Sequence, residues 1–524
     1  MGSSGIYARH PGTQSRGNAG KYHRMPDRIA LVCSCEGSMV LDGRALARGC
    51  AAQGGGPGEG NGTELRTAEQ LCRGQLDRFL AAVDTGRPLT IGCTQEAPLF
   101  AEEAAAAGAT APLSFVNLRE AAGWAREGRE AGPKMAGLLA AAAIALPDTP
   151  LVPLRSEGVT LVLGRDAVAI EAAGRLADRL DLTVLLTGAE PVTPLARAEF
   201  PVLRGRARTA TGWLGAFEVV IDGHAAASPA SRAAYAWGPA RDGATSRCDI
   251  ILDLTGGTPL FPAHATRLGY LRADPADAAA VARAVAEAGQ LVGEFDKPRF
   301  VTFDAGLCAH GRNKRTGCTR CLDLCPTGAI TPGQGALRDS VQISAEICAG
   351  CGACAAVCPT GAASYALPPP ATTLARLRAL LLGFAEAGGR DPVVLLHDAA
   401  QGEPLIEALA RHGEGLPARV LPLRLNECGL LDLATLAAAF AWGASAVRVL
   451  LPARQGHGTE GLHRNLGYVA AALDGLGLGN GLLRAATIET DDPFTLGEAL
   501  APTLALRGLA SPARFLALGT PREV

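Results

Sequence analysis

Two runs of cysteine near the middle of the chain have the residue types and spacing to do chemistry. The first is Cys308-x9-Cys318-x2-Cys321-x3-Cys325-Pro326, and the second is Cys348-x2-Cys351-x2-Cys354-x3-Cys358-Pro359. Cys-x2-Cys-x2-Cys lets three thiolates from one short loop reach three irons of a cubane 4Fe-4S cluster. The fourth cysteine, three residues on and followed by proline, ligates the neighbouring cube. On that logic Cys308, Cys318, Cys321 and Cys358 hold one cluster, and Cys348, Cys351, Cys354 and Cys325 hold the other. Cys325-Pro326-Thr327-Gly328-Ala329 recurs 33 residues later as Cys358-Pro359-Thr360-Gly361-Ala362, as a duplicated half-domain would. Zinc sites use two Cys-x2-Cys knuckles and give no reason for a third cysteine and a Cys-Pro in each run. Disulfides require an oxidising compartment, to which nothing in the chain is addressed. The opening gap of the first run is seven residues wider than that of the second. If Cys308 fails to reach, one iron of the first cluster is left open or differently ligated.

Length and composition bound what surrounds these runs. A chain of 524 residues makes about three or four domains. Hydrophobic residues make up 48% of it, enough for several cores, and aromatics only 4%. The net charge of -2 gives no basic footprint for nucleic acid. No apolar run is long enough for a membrane-spanning helix. Residues 1–28 are rich in Gly, Ser, Arg and His and lack an apolar signal core or a twin-arginine pair. They are expected to be a disordered leader, with Met25 just before the first strand as an alternative start. A cytoplasmic location is expected, which also suits oxygen-sensitive clusters.

The pattern of apolar runs predicts a multidomain α/β chain of Rossmann-like units with an inserted α+β dicluster domain of bacterial ferredoxin type. Residues 29–150 form the first α/β domain, with strands over 29–33 and 89–93, a helix over 67–83 and a glycine-rich loop over 50–63. Residues 151–300 form a Rossmann-like domain opening with a strand over 159–163, a helix over 167–180 and a strand over 182–187. Further strands are expected at 217–221 and 249–254. The dicluster segment covers 301–366, and Pro368-Pro369-Pro370 marks a stiff boundary. Residues 367–524 form a last α/β domain with strands over 393–396, 418–421 and 446–451.

Further motifs connect these units to known families. Cys33-Ser34-Cys35, Leu71-Cys72, Gly92-Cys93-Thr94, Asn117-Leu118-Arg119-Glu120 and the stretch from Gly205 to Val219 precede the cysteine runs. With them the chain resembles the flavin-containing A subunit of heterodisulfide reductases. Asn426-Glu427-Cys428-Gly429 and Phe440-Ala441-Trp442-Gly443-Ala444 make the last domain similar to the delta subunit of the methyl-viologen-reducing hydrogenase. The resemblance covers most of residues 29–510. It implies a further cluster near Cys33, Cys35, Cys72 and Cys93, although Ala121-Ala122 stands where that family has a cysteine after its Arg-Glu pair. A third cluster, a redox-active thiol site and plain burial of small hydrophobes all remain open for these four residues.

The departures are as informative. A dinucleotide site needs a glycine-rich turn at a helix N-terminus. Here the turn is Gly164-Arg165-Asp166-Ala167-Val168-Ala169, with one glycine of the fingerprint and a carboxylate where phosphates would lie. Gly164 is therefore assigned to a vestigial flavin site, and FAD is not expected to bind. Ser246 to Pro259, with Cys248 inside it, resembles the segment that closes a flavoprotein's dinucleotide domain and speaks for ancestry. The last domain keeps only Cys428 of its relatives' cluster cysteines, and one thiol cannot hold a cluster, so a docking or structural role is expected. Arg312, Lys314, Arg315 and Arg320 crowd the first run. They are either a solvated loop or a positive patch that raises the first cluster's potential and steers an acidic partner.

The expected function is relay of single electrons through two 4Fe-4S clusters between a redox partner, such as a dehydrogenase or hydrogenase, and another acceptor. No catalytic residue is assigned. The rivals are a flavin-dependent oxidoreductase like the resembled A subunit and an accessory factor for maturation of a metalloenzyme.

Overall fold

The computed structural model describes residues 7–8, 28–51, 62–197, 199–311, 315–334, 339–454, 456–508 and 512–513. Ile29–Cys33 is a near-continuous apolar run, and its first four residues are fully buried. Such a run suits the centre of a parallel sheet covered on both faces. The N-terminal sheet is built around it, in the order Glu64–Ala68, Ile29–Cys33, Leu89–Ile91, Leu113–Phe115, with every pairing parallel. The helix expected over 67–83 is shorter. Its first part is the tail of strand Glu64–Ala68 and a turn, and the helix runs only from Leu76 to Val83. Gln75 explains the break, because its Oε1 accepts the backbone N–H groups of Glu69 (2.7 Å) and Gln70 (3.1 Å) and caps the turn between them. The loop expected from residue 50 begins later, since helix Gly43–Ala51 includes Cys50, and most of that loop lies outside the described residues.

The Rossmann-like unit is a seven-stranded mixed sheet. Asp181–Leu186, Val159–Gly164, Ile250–Leu254 and Tyr270–Arg272 pair in parallel. Val202–Thr211 joins them in parallel, and Phe217–Ala226 and Ala244–Cys248 extend the edge antiparallel. The helix expected over 167–180 stops at Gly174 and continues as turns. Antiparallel strands Leu151–Ser156 and Gly293–Pro298 enter and leave the unit side by side. Tyr7–Ala8, within the leader read as disordered, adds two residues to that ribbon against Phe295 and Asp296. The rest of that leader up to residue 27 lies outside the described residues.

Residues 301–366 form two small antiparallel pairs, Val301–Phe303 with Ala363–Tyr365 and Ile330–Pro332 with Val341–Ile343. Short helices Arg320–Leu324 and Ala353–Ala356 sit within the two cysteine runs. Pro370 begins the long helix Pro370–Glu386. The last domain is a second parallel sheet, in the order Val420–Arg424, Val393–His397, Ala446–Leu451, Ala485–Glu489, whose fourth strand was not anticipated.

One hydrophobic core runs through the N-terminal domain, the cysteine segment and the C-terminal domain, whereas the Rossmann-like unit keeps separate cores of its own. Small residues make the junction. Helices Gly132–Ala142 and Pro370–Glu386 cross so closely that a Cβ on Gly137 would stand 2.6 Å from the Leu380 carbonyl oxygen. Charges fix the same interface. Buried Glu120 accepts from Arg119 at 2.6 Å and from Arg411 of the C-terminal domain at 2.7 Å. Fully buried Lys134 donates to the carbonyls of Ala121 (3.0 Å) and Leu416 (2.9 Å). Among the described residues no helix is long and apolar enough to cross a membrane.

Candidate metal centres

Cys308, Cys318, Cys321 and Cys358 line one hollow of about 350 Å³, with Phe303, Val341, Pro359 and Arg320 around them. The wide gap after Cys308 does not hold that residue away. Gly317 N–H donates to the His310 carbonyl (2.6 Å), and Cys318 N–H donates to the Ala309 carbonyl (3.1 Å). These bonds bring the two ends of the inserted stretch together. The His310 ring is buried, and its Nδ1–H donates to the Cys318 carbonyl at 2.9 Å.

The second set, Cys348, Cys351 and Cys354 with Cys325, is linked by the charges these thiols exert on one another. Burial, and then the charges of Cys348 and Cys325, push the Cys351 thiol up to about 11, and burial, then Cys348, Cys351 and Cys325, push Cys354 well above its ordinary value. Cys321, in the first set, is pushed up to about 11 by burial and then by Cys318, Cys358 and Cys308. Cys358 of the second run thus lines the first run's hollow, and the charge of Cys325 of the first run acts on Cys348, Cys351 and Cys354. Thr327 and Thr360 repeat the symmetry, their hydroxyls lying 3.6 and 3.8 Å from Cys325 and Cys358 Sγ. Thiols so protonated must release protons when a metal binds.

Glycine shapes the second loop. Gly350 and Gly352 both take left-handed backbone (φ 83° and 78°) on either side of Cys351. A Cβ at Gly350 would strike the Phe300 ring, and one at Gly352 would strike Leu430 at 2.5 Å. The C-terminal domain closes over this loop. Tyr365 hydroxyl donates to the Gly350 carbonyl (2.7 Å) and accepts from Asn426 (2.6 Å), and Gly458 lies directly against Cys351. Asn426 and Gly429 carry a family likeness in the sequence, but nothing there placed Asn426 on Tyr365 or Gly429 against Cys351.

A third group lies at the carboxyl ends of the N-terminal strands. Cys33, Cys35, Cys72 and Cys93 line a hollow of about 600 Å³ together with Met39, Thr94 and Arg119. The strand order reverses between Ile29–Cys33 and Leu89–Ile91, and the carboxyl ends at such a switch point are where open parallel sheets bind ligands. The chain turns sharply after Cys33, with left-handed backbone at Cys35 (φ 53°), Glu36 (57°) and Gly37 (74°). Two of these are not glycine, a strain that marks functional turns. Cys35 N–H donates to Cys33 Sγ (3.2 Å), and Arg119 reaches Cys35 Sγ at 3.7 Å. Burial raises the Cys93 and Cys72 thiols above their ordinary range.

Among the described residues no three His, Cys, Asp or Glu side chains are drawn together tightly enough to hold a metal ion. The thiols instead ring the hollows, which fits a group that offers a separate iron to each ligand. The remaining candidates fall elsewhere. Arg315 and Arg320 are exposed, Arg320 on the rim of the first hollow, while Arg312 and Lys314 lie outside the described residues. Cys428 is buried beside the Leu450 carbonyl (3.6 Å), away from the other cysteines' hollows.

Gly164 does not present a dinucleotide cradle. Its missing Cβ makes room for Ala169, which would stand 2.3 Å away, so the glycine serves strand–helix packing. Asp166 caps the helix by accepting from Val168 N–H (3.0 Å). Thr187 bonds back to the Gly164 carbonyl, and Gly188 packs on the Arg165 carbonyl. The residues at this turn do not fit a flavin pyrophosphate.

Residues 314–362 match the model of a 4Fe-4S dicluster domain. The match takes in seven of the eight cysteines and begins beyond Cys308. No curated protein matches the chain.

Proposed function

We propose that the chain is a non-catalytic iron–sulfur electron carrier, relaying single electrons between a partner redox enzyme of dehydrogenase or hydrogenase type and another acceptor in the cytoplasm. The dicluster match indicates 4Fe-4S binding and iron–sulfur electron transfer as the general activity. The observation that carries the finer reading is the convergence of Cys308, Cys318, Cys321 and Cys358 on one hollow, drawn from both runs. Cys348, Cys351, Cys354 and Cys325 form the second ligand set. When bound, the clusters supply one-electron chemistry; the chain's part is to hold them, shield them and tune them.

The N-terminal hollow is proposed as a third centre held by Cys33, Cys35, Cys72 and Cys93, with Arg119 offsetting thiolate charge. The resemblance to the A subunit of heterodisulfide reductases and to the hydrogenase delta subunit supports this longer relay. The occupied turn at Gly164 counts against the flavin-dependent rival. Exposed Arg320 on the rim of the first hollow and exposed Arg315, five residues before it in sequence, favour an acidic docking partner.

Iron and acid-labile sulfide on anaerobically purified protein test the reading. About twelve of each per chain are expected, four for every centre. About eight would remove the third centre, and none after reconstitution would sink the proposal. Cys351→Ser should cost iron; unchanged content would remove that ligand assignment. Neutralising Arg315 and Arg320 should slow reduction by an acidic donor and flatten its salt dependence, and no change in either would leave these residues merely solvated.

A further inference from the structure

The two central cysteine sets differ in the charge built around them. At the first, Arg320 on the rim of its hollow and Arg315 within the gap of its run are exposed, where water and salt screen them. Beside the second, the Rossmann-like unit inserts two cations from different elements. Lys297, on strand Gly293–Pro298, is 7% exposed and donates to the carbonyls of Ala345 (2.6 Å) and Cys348 (2.5 Å), with its ammonium 5.5 Å from the centre of the Phe300 ring. Its charge acts on the Cys348 thiol. Arg267 comes from the loop before strand Tyr270–Arg272. It donates to the carbonyls of Thr327 (2.6 Å) and Ala265 (2.6 Å), and Cys325 acts on its charge. The Arg267 Nε–H is buried and has no acceptor among the described residues. A buried N–H without a partner costs free energy, and this one belongs to a guanidinium on whose charge Cys325 acts.

We propose that Arg267 and Lys297 are positioning residues that raise the reduction potential of the second centre above that of the first, so that an electron from a low-potential one-electron donor settles at the second. The inference rests on the two-cluster reading. Uptake of one electron adds one negative charge at the cysteine set, and a fixed cation nearby stabilises the reduced form more than the oxidised one. Two carboxyls stand against this. Glu346 lies near Lys297, and Glu427 near Cys351. Glu346 accepts from Ser344 Oγ at 2.8 Å, and burial followed by Asp398 pushes the Glu427 carboxyl up to about 7, which leaves much of it neutral. Burial pulls the Lys297 ammonium and the Arg267 guanidinium below their ordinary values, while the nearby Cys348 and Cys325 favour their charged forms. A Rossmann-like unit with no fitting nucleotide cradle thereby has a use, as a lid that supplies cations.

The test is a redox titration of the full chain with its clusters, followed by electron paramagnetic resonance, with iron and sulfide counted in each sample. Cys351→Ser identifies the second centre's signal by its loss. In Lys297→Met with Arg267→Gln, the reduced-to-oxidised ratio of that signal at fixed potential should fall about tenfold, equal to about 59 mV for one electron. The first centre's signal should stay in place, and Lys297→Arg should restore most of the shift. Unmoved midpoints with full iron would overturn the inference and leave the carrier reading standing, as would equal shifts at both centres. If the double variant loses iron, the single change Arg267→Gln decides by the same criterion. A wild-type chain without iron and sulfide would overturn the carrier reading and this inference with it.

Discussion

The N-terminal and C-terminal domains use one strand order for opposite ends. Each is a parallel sheet in which the first strand lies between the second and the third. In the N-terminal sheet Cys33 closes the central strand, Cys72 follows the edge strand by four residues and Cys93 follows the third by two. The matching places in the C-terminal sheet hold His397, Cys428, again four residues past its strand, and Ala453. The first set of ends leaves a thiol-lined hollow. The second is pressed onto the Cys351 loop, where a Cβ on Gly429 would lie 2.5 Å from the Cys351 carbonyl oxygen. A scaffold of this kind offers a site at its carboxyl ends; whether it becomes a metal centre or a docking face depends on a few side chains there.

Cysteine replacement gives the largest expected contrast. Cys72→Ser should remove about four irons per chain, whereas Cys428→Ser should leave iron content unchanged. Equal losses, or none in either, would break the contrast. Next in size is Gly429→Val, which places carbon against the Cys351 backbone. It should cost about 3 kcal/mol, seen as a lower denaturation midpoint, and should make the second centre decay faster in air. A neutral outcome would mean that the C-terminal face does not press on that loop.

Glu120→Gln addresses what joins the two sheets. Burial disfavours this carboxylate's charge, but Arg119 and then Arg411 hold it below the ordinary range. Losing the charge leaves two guanidiniums without their counter-ion and should cost about 2 kcal/mol, detectable by chemical denaturation; a change under half of that would mean the bridge is idle. The smallest effect concerns Lys134. Desolvation lowers its ammonium to about 7, against ~10.4 for a free lysine. Between those values the unfolded chain binds more protons than the folded one, so stability rises with pH across that window. Wild type should gain on Lys134→Met from pH 7 toward pH 10. A constant difference would show that the lysine titrates as it would in water.

The sequence by itself determined the chemistry of the centre. Ligand spacing along a loop is local, so the two runs and the 33-residue repeat were legible as a dicluster signal, which the family match over residues 314–362 supports. Buried strands such as Ile29–Cys33 and Ala446–Leu451 were legible for the same reason, being continuous apolar runs. The helix over 67–83 was misjudged because Glu64–Ala68 mixes polar and apolar residues and becomes a strand only by pairing with Ile29–Cys33. Only the tertiary structure decided that Cys308 reaches its hollow, since that rests on backbone bonds closing a wide loop. It alone brought Cys33, Cys35, Cys72 and Cys93 together, and it alone set Arg267 and Lys297 beside thiols tens of residues away. Ligand identity lives in short spacing, which a sequence displays. Reach, shielding and the field around a centre come from strands and helices that meet only on folding.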